Sequence, residues 1–508
     1  MSMTSIDAEP GSATDAGDLS TFGYGQQLRR KIGGYGSFAA GFSFVSILTT
    51  VFQLFFFGFG FGGPAFFWTW PIVLGGQLLV ALCFAELAAR YPISGAIYQW
   101  ATRLGGRIWG WTAGWLMLVA QVVTLAGAAI ALQVVLPPVW SGFQLVPGDS
   151  SLTSLTGAAN AVVLGMLLLC VTTAVTATGV RLMSVVNSVG VACELVGVTL
   201  LCVALFSHAE RGPGVVLQAQ GTAGHSYLWS FAVSGLMAAY VLVGFDSAGE
   251  LSEETRDPRR TTPRTILRAV LVSGLGGALM LLATLMAAGS VTDGSLGDPA
   301  RGLPFVLTDR LGDTLGRVFL VDVAIAVSVC TLAIQTAATR MVFSMARDGV
   351  LPCSVGLASV NRRTGTPVRA SVLVGVLAAA LLLVNVGNPA LFTTLASVCI
   401  MLLYLAYLMV TLPLLVRRLR GGLPPRAGEF SLGRWGVVVN VLAVAWGALM
   451  AVNLGWPRPE VFDPAGGHLY LQWFAPLFLL GSLAVGALAY ATRTRRPAVA
   501  LLALDGAE

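Results

Sequence analysis

Along most of this chain the apolar residues neither alternate as in a strand nor recur on one helical face. They run on in long stretches and stop at short clusters of polar residues rich in arginine. Crossing a hydrocarbon layer about 30 Å thick takes roughly 20 such residues in a helix. Twelve stretches qualify, near 37–60, 66–89, 108–136, 156–179, 187–207, 227–250, 266–289, 316–346, 370–386, 391–415, 435–454 and 470–491. The pattern predicts an all-α membrane protein of twelve transmembrane helices.

Two of these stretches are irregular. "SFVSILTTVFQLFFFGFGFGGP", Ser43 to Pro64, sets Ser46, Thr49 and Thr50 in mid-span and ends in glycines. "VSGLMAAYVLVGFDSAGE", Val233 to Glu250, carries Gly235, Gly244, Gly249 and the acid Asp246. In lipid, irregular backbone survives only where protein encloses it or it lines a cavity. Interrupted helices at corresponding places are the best pointer to a transporter's binding site. The first and sixth stretches stand five apart, as two inverted five-helix repeats would require. The plainer reading, glycines and hydroxyls that only ease packing, suits one such helix better than two.

Charge then orients the helices. If the N-terminus is inside, twenty-five of the 30 lysines and arginines fall in cytoplasmic segments, and five (Arg211, Arg301, Arg310, Arg317 and Arg458) fall outside. That asymmetry sets both termini in the cytoplasm and supports an even number of spans. The net charge of +6 is therefore topogenic and does not point to nucleic acid. Only 11% of the 508 residues are charged, against about 25% in a soluble domain. Trp68, Trp70, Trp109, Trp111, Trp229, Trp435 and Trp473 near span ends fit an interfacial belt. Six of the seven cysteines lie in apolar stretches with no metal-binding spacing, so neither disulfides, a metal nor a cofactor is expected. Residues 1–36 read as a disordered cytoplasmic tail without a secretory signal. A single lysine among 29 arginines suggests a GC-rich genome and a bacterial inner (plasma) membrane.

Three motifs carry a family resemblance. "FAELAARYPISGAIYQWA" (Phe84 to Ala101), "GFDSAGELSEETRDPRRTTPRTIL" (Gly244 to Leu267) and "TRMVFSMARDGVLP" (Thr339 to Pro352) resemble signatures of the amino acid/polyamine/organocation superfamily of permeases. With "SILT" in the first span and Gly114, Trp115 and Gln121 in the third, the chain is most similar to the amino acid/choline transporter branch, which includes 4-aminobutyrate (GABA) permeases. The resemblance spans about residues 30–495. It implies the leucine-transporter fold: a first five-helix repeat at 37–208, an inverted second at 227–415, two further helices at 435–491 and a cytoplasmic tail at 492–508. It also implies helices 1 and 6 unwound at mid-membrane, a site completed by helices 3, 8 and 10, and alternating access.

Carried onto this chain, the substrate positions are Ser46, Ile47, Leu48, Thr49 and Thr50 in helix 1 and Tyr240, Val243, Gly244, Phe245 and Asp246 in helix 6. Gln121, Gln335 and Ser397 on helices 3, 8 and 10 join them, with Cys330 and Cys399 as further pocket candidates. Free amides at a half-helix N-terminus suit a carboxylate and free carbonyls an ammonium. Many relatives have Gly where this chain has Thr50, which either narrows the pocket or offers a hydroxyl. Asp246 counters the substrate amine or takes part in gating, or else caps the broken helix.

Glu194, alone among apolar neighbours of helix 5, is the leading candidate for a proton-coupling carboxylate, in the region where some relatives carry a lysine; a structural hydrogen bond between helices is the alternative. Glu86 and Glu250 belong to the cytoplasmic gate region. Glu250, Glu253 and Glu254 are expected to pair with Arg256, Arg259 and Arg260 or with other cytoplasmic arginines. Asp322 reads as interfacial. Thr331 and Ser328 could supply hydroxyls to a sodium site, although its usual pair is missing. His208, His225 and His468 all fall at outer helix ends, so no histidine relay crosses the bilayer.

The function expected is a secondary active permease for an amino acid or related amine such as GABA or choline, driven by protons or by exchange. A permease-like sensor and a polyamine exchanger are the alternatives. Enzymatic readings fail for want of a catalytic constellation, and ATP-driven ones for want of a P-loop. The partners expected are the small substrate, protons and the bilayer, with oligomeric state left open.

Overall fold

A chain surrounded by hydrocarbon can satisfy its backbone groups locally only as helix, and the computed structural model is helical nearly throughout. It describes residues 19–493 apart from 221–224, 293, 300, 388, 422–428 and 463–468, and does not describe the side chains of 387–397. The principal helices are α1 (Gly34–Val45), α2 (Ile47–Gly62), α3 (Thr69–Arg90), α4 (Ala96–Gly105), α5 (Arg107–Ile130), α6 (Leu155–Thr178) and α7 (Val180–Ser207). They continue with α8 (Tyr227–Val241), α9 (Pro258–Ala287), α10 (Gly302–Arg347), α11 (Val368–Gly387), α12 (Pro389–Leu419), α13 (Gly436–Gly455) and α14 (Phe474–Ala491). Among the described residues the one extended pairing is an isolated parallel bridge between Ile32 and Thr255.

Among the described residues, eleven helical segments are long and apolar enough to cross a membrane, counting α1 and α2 as one. The sixth expected stretch is served by α8, an apolar helix of 15 residues, which is too short to cross alone. Several helices outrun the apolar stretch that predicts them. α7, for example, begins at Val180 rather than near 187 because Arg181 and Ser184 can stay helical at an interface where their polar groups reach water.

α10 packs against α1, α2, α5, α6, α7 and α11. It kinks at Gly312, whose φ of 72° lies in the left-handed region. α9 lies along α3 and α1, while α12 runs between α5 and α13. The contact of α3 with α9 is close because Gly277 has no side chain: a Cβ there would lie 2.1 Å from the Trp70 ring. The same indole donates to the Gly274 carbonyl at 2.7 Å.

One expectation is corrected. Residues 19–33, read as part of a disordered tail, are packed in place, whereas 1–18 lie outside the described residues. Leu19, Leu28 and Ile32 are buried, and three apolar anchors in a polar segment suffice to hold it as a strap. The Ile32 amide donates to the Glu254 carbonyl at 2.9 Å, and the Arg256 amide donates to the Ile32 carbonyl at 3.0 Å.

Candidate substrate site at two helix breaks

The first span breaks at one residue. Ser46 takes φ 33° between α1 and α2, a left-handed conformation that costs a non-glycine residue on the order of 1 to 3 kcal/mol and persists only where its surroundings impose it. Here they do. The Ser46 amide donates to the Phe42 carbonyl at 2.8 Å, and its hydroxyl donates to Glu194 Oε1 on α7 at 3.0 Å. The same oxygen accepts from the Leu48 amide at 3.2 Å. Glu194 therefore sits on the positive end of α2, where a carboxylate is favoured.

The hydroxyls of this stretch mostly repair the break. Thr49 Oγ1 lies 2.7 Å from Ser46 Oγ. Thr50 donates to the Ser46 carbonyl at 2.8 Å and the Val45 carbonyl at 3.2 Å. The Thr50 hydroxyl thus closes carbonyls left open by the break. The Phe44 carbonyl faces the Cys330 thiol at 3.7 Å.

The sixth span opens between Val241 and Ser247. Gly244 has φ 89°, and a Cβ on it would fall 1.8 Å from the Phe44 ring. The two breaks therefore touch through a phenyl group that only glycine admits. Tyr407 of α12 holds the second break, accepting from the Gly244 amide at 3.0 Å and donating to Asp246 Oδ1. Asp246 makes no side-chain bond to the turn that follows it, so the capping role is not the one observed. Phe245 packs against Phe84 and Tyr407. The hydroxyl of Tyr240 lies 3.5 Å from the Cβ position of Gly127 on α5. Thr124, one turn from Gly127, meets Cys399 of α12 at 3.5 Å.

Beside these breaks lie buried polar atoms with no protein partner, Asp246 Oδ2 and Glu194 Oε2. Glu250, after the second break, is buried with only the Gly95 backbone beside its carboxylate, and on α5 both amide atoms of Gln121 are buried and unpartnered. Buried polar atoms are ordinarily bonded, so such a concentration marks a place for a ligand or water. Between α1, α7, α10 and the stretch following the second break lies a small cavity of about 10 Å³, bounded among others by Ser184, Asn187, Ser247 and Thr336. Asn187 Oδ1 and Thr336 Oγ1 are also without a protein partner.

Other expected site residues go elsewhere. Gln335 bonds Thr172 and Thr173 of α6 at 2.5 and 2.6 Å, away from the breaks. Ser328 and Thr331 donate to carbonyls of their own helix at 2.8 and 2.7 Å. Asp322 lies against Gly197 of α7 with Oδ2 buried and unpartnered. The side chain of Ser397 and all of His468 lie outside the described residues. Among the described residues no three His, Cys, Asp or Glu are grouped to hold a metal ion.

At the arginine-rich end the acids find distant partners rather than their sequence neighbours. Glu253 pairs with Arg347 and Glu254 with Arg340, each at 2.8 Å with both side chains buried. Glu86 pairs with Arg418 and accepts from Ser431 at 3.2 Å. Arg259, expected near Glu250, meets Glu429 at 2.5 Å. The strap crosses this cluster: the Arg347 guanidinium lies 3.9 Å from the Tyr24 ring centroid. The hydroxyls of Tyr24 and Tyr98 both donate to Asp348 at 2.8 Å. Burial, and after it the Asp348 carboxylate, push the Tyr24 hydroxyl above its ordinary range. Sequence reasoning missed Tyr407, Arg340 and Arg347, yet each left a trace. Tyr404 and Tyr407 are three apart in an apolar run, and the two arginines are seven apart, on one helical face.

The chain is similar along most of its length to known transport proteins. It is 28% identical over 476 residues to "Amino-acid permease BAT1 homolog" of Oryza sativa subsp. japonica, covering 89% of this chain and 90% of that one. It is 28% identical to "Amino-acid permease BAT1" of Arabidopsis thaliana, covering 86% and 88%. With the "Methylthioribose transporter" of Bacillus subtilis it shares 26% over 67% of this chain and 74% of that protein. A family profile described as "Amino acid permease" matches residues 32–481. The chain is thus a multi-pass membrane transporter, not an enzyme, and it belongs to the amino acid permease family of the amino acid/polyamine/organocation superfamily.

Proposed function

We propose that this protein is a secondary active permease that carries an amino acid or related amine across the plasma membrane by alternating access, with proton coupling through Glu194. The observation that carries the reading is the meeting of two broken helices, at Ser46 and at 242–246, beside buried acids that are only half satisfied. The reading takes the chain as twelve helices in two inverted five-helix repeats and two more, with α1–α2 and α8 with the break after it in matching places. The surplus of basic residues at one end favours cytoplasmic termini. The names of the relatives favour amino acids as cargo.

One feature favours a second reading of the cargo. Glu194 already occupies the Leu48 amide, the kind of donor that a substrate carboxylate would use, and the remaining charge at the breaks is acidic. An amine without a carboxylate, such as choline or a polyamine, fits that arrangement. In either case Glu194 releases its hold on Ser46 and Leu48 when protonated, and so links proton uptake to the geometry of the break.

The test is uptake into proteoliposomes of radiolabelled neutral amino acids, GABA, choline and a polyamine, with and without an inward proton gradient. Saturable uptake of at least one compound, raised by the gradient and abolished in D246N, is expected. No uptake above protein-free vesicles for the whole panel would overturn the reading.

A further inference from the structure

A second cleft, of about 430 Å³ and open to solvent, lies at the arginine-rich end, between the strap, the α6–α7 turn and the loop before α11. Its walls carry Arg29, Lys31, Arg181 and Arg363, and no acidic residue lines it. Four cations converge there from three separated parts of the chain. All four are exposed, in contrast to the arginines neutralised in buried pairs nearby. Arg29 is fixed in place: its guanidinium donates to the Arg362 carbonyl at 3.0 Å, and its side chain lies over Gly365. The cleft floor includes the start of α7, Gly179 to Arg181, whose first amides lack a side-chain cap.

The cleft is also continuous with an apolar flank. Leu182 and Val185 line it, and with Val186 and Val189 they are exposed on α7 facing away from the protein. A soluble anion needs the charges alone, whereas a cationic cleft that opens onto exposed leucine and valine on a membrane-crossing helix matches a headgroup joined to acyl chains. Basic pockets at the cytoplasmic ends of transmembrane helices have this chemistry.

We infer that the cleft formed by Arg29, Lys31, Arg181 and Arg363 binds a membrane lipid with an anionic, phosphate-bearing headgroup, its acyl chains lying along α7. Because Arg29 and Lys31 belong to the strap and Ile32 is bonded to the segment carrying Glu253 and Glu254, the bound headgroup holds the strap against the gate. The site does not depend on what the permease carries.

The full-length protein, released from membranes in mild detergent, is delipidated and titrated with phosphatidylglycerol, with phosphatidylethanolamine, or with inorganic phosphate, and bound lipid is counted by native mass spectrometry. Phosphatidylglycerol is expected to bind selectively, with phosphate unable to displace it. R181Q/R363Q, which leaves the strap untouched, is expected to lower retention at least about fivefold, and adding R29Q/K31Q to lower it further. Equal retention of the zwitterionic lipid, or unchanged retention in the folded R181Q/R363Q variant, would overturn the inference. Displacement by millimolar phosphate would also overturn it, by making the cleft a site for soluble anions.

Discussion

The acids of the arginine-rich end and those of the helix breaks are equally buried but satisfied very differently. Glu253 takes a charge-assisted bond from Arg347 on each oxygen, at 2.8 and 3.0 Å, and Glu254 takes two from Arg340 on Oε1, at the same distances, leaving Oε2 unpartnered. Asp246 and Glu194 lean on one face against a hydroxyl or an amide and leave the other oxygen without a protein partner. A carboxylate met by an arginine fixes its surroundings, whereas one met only by a neutral hydroxyl or amide is left to respond to what arrives. The difference separates a part of the molecule fixed by ion pairs from a part suited to exchange partners.

The largest effect expected from disturbing this contrast is at Arg347. R347Q strands the buried Glu253, and breaking a buried pair from one side costs about 3 to 5 kcal/mol. The thermal midpoint in detergent should fall further than for any other single change here, and E253Q/R347Q should recover much of the loss. If the single variant melts like the wild type, the pair is not what holds that end together.

Tyr407 comes next. Y407F removes the donor to Asp246 and the acceptor for the Gly244 amide, and leaving such groups unmet costs about 1 to 3 kcal/mol. Combined with D246N the losses should not add, because both act on one network; additive melting shifts would separate the two residues. E194Q keeps the shape of the Ser46 contact but cannot take up a proton. It should leave melting nearly unchanged while gradient-driven uptake falls about tenfold, equivalent to about 1.4 kcal/mol. Uptake that still responds to pH would remove Glu194 from the coupling. At the small end stands Arg317, 3.9 Å from Asp313 with both side chains largely exposed. R317Q should shift stability by less than about 1 kcal/mol and calibrates the rest.

Much of this contrast was legible in the sequence, because lipid permits so few solutions. Apolar length located the helices, and Ser46 and Gly244, set among polar and glycine-rich neighbours in mid-span, marked both breaks. Glu194 stood out as one acid in a long apolar run. Pairing was harder to read. Glu253 and Glu254 lie within a few residues of Arg256, Arg259 and Arg260, yet bond with arginines more than eighty residues away, since what meets at a helix end is set by packing and not by nearness along the chain. The strap was hidden for the opposite reason: Leu19, Leu28 and Ile32 are too few to register in composition, yet each finds a buried seat. The role of Thr50 could not be read either, because a hydroxyl offered to substrate and one folded back on its own backbone look the same in one dimension.

The break at Ser46 has a mechanical consequence. With a single residue out of helical register, the 12 residues of α1 form a stiff rod about 18 Å long at 1.5 Å per residue. A swing of about 10° at that pivot would carry the far tip about 3 Å, roughly the diameter of a water molecule. A rotation too slight to unseat the helix from its neighbours would thus be enough to admit or exclude a water molecule at that tip.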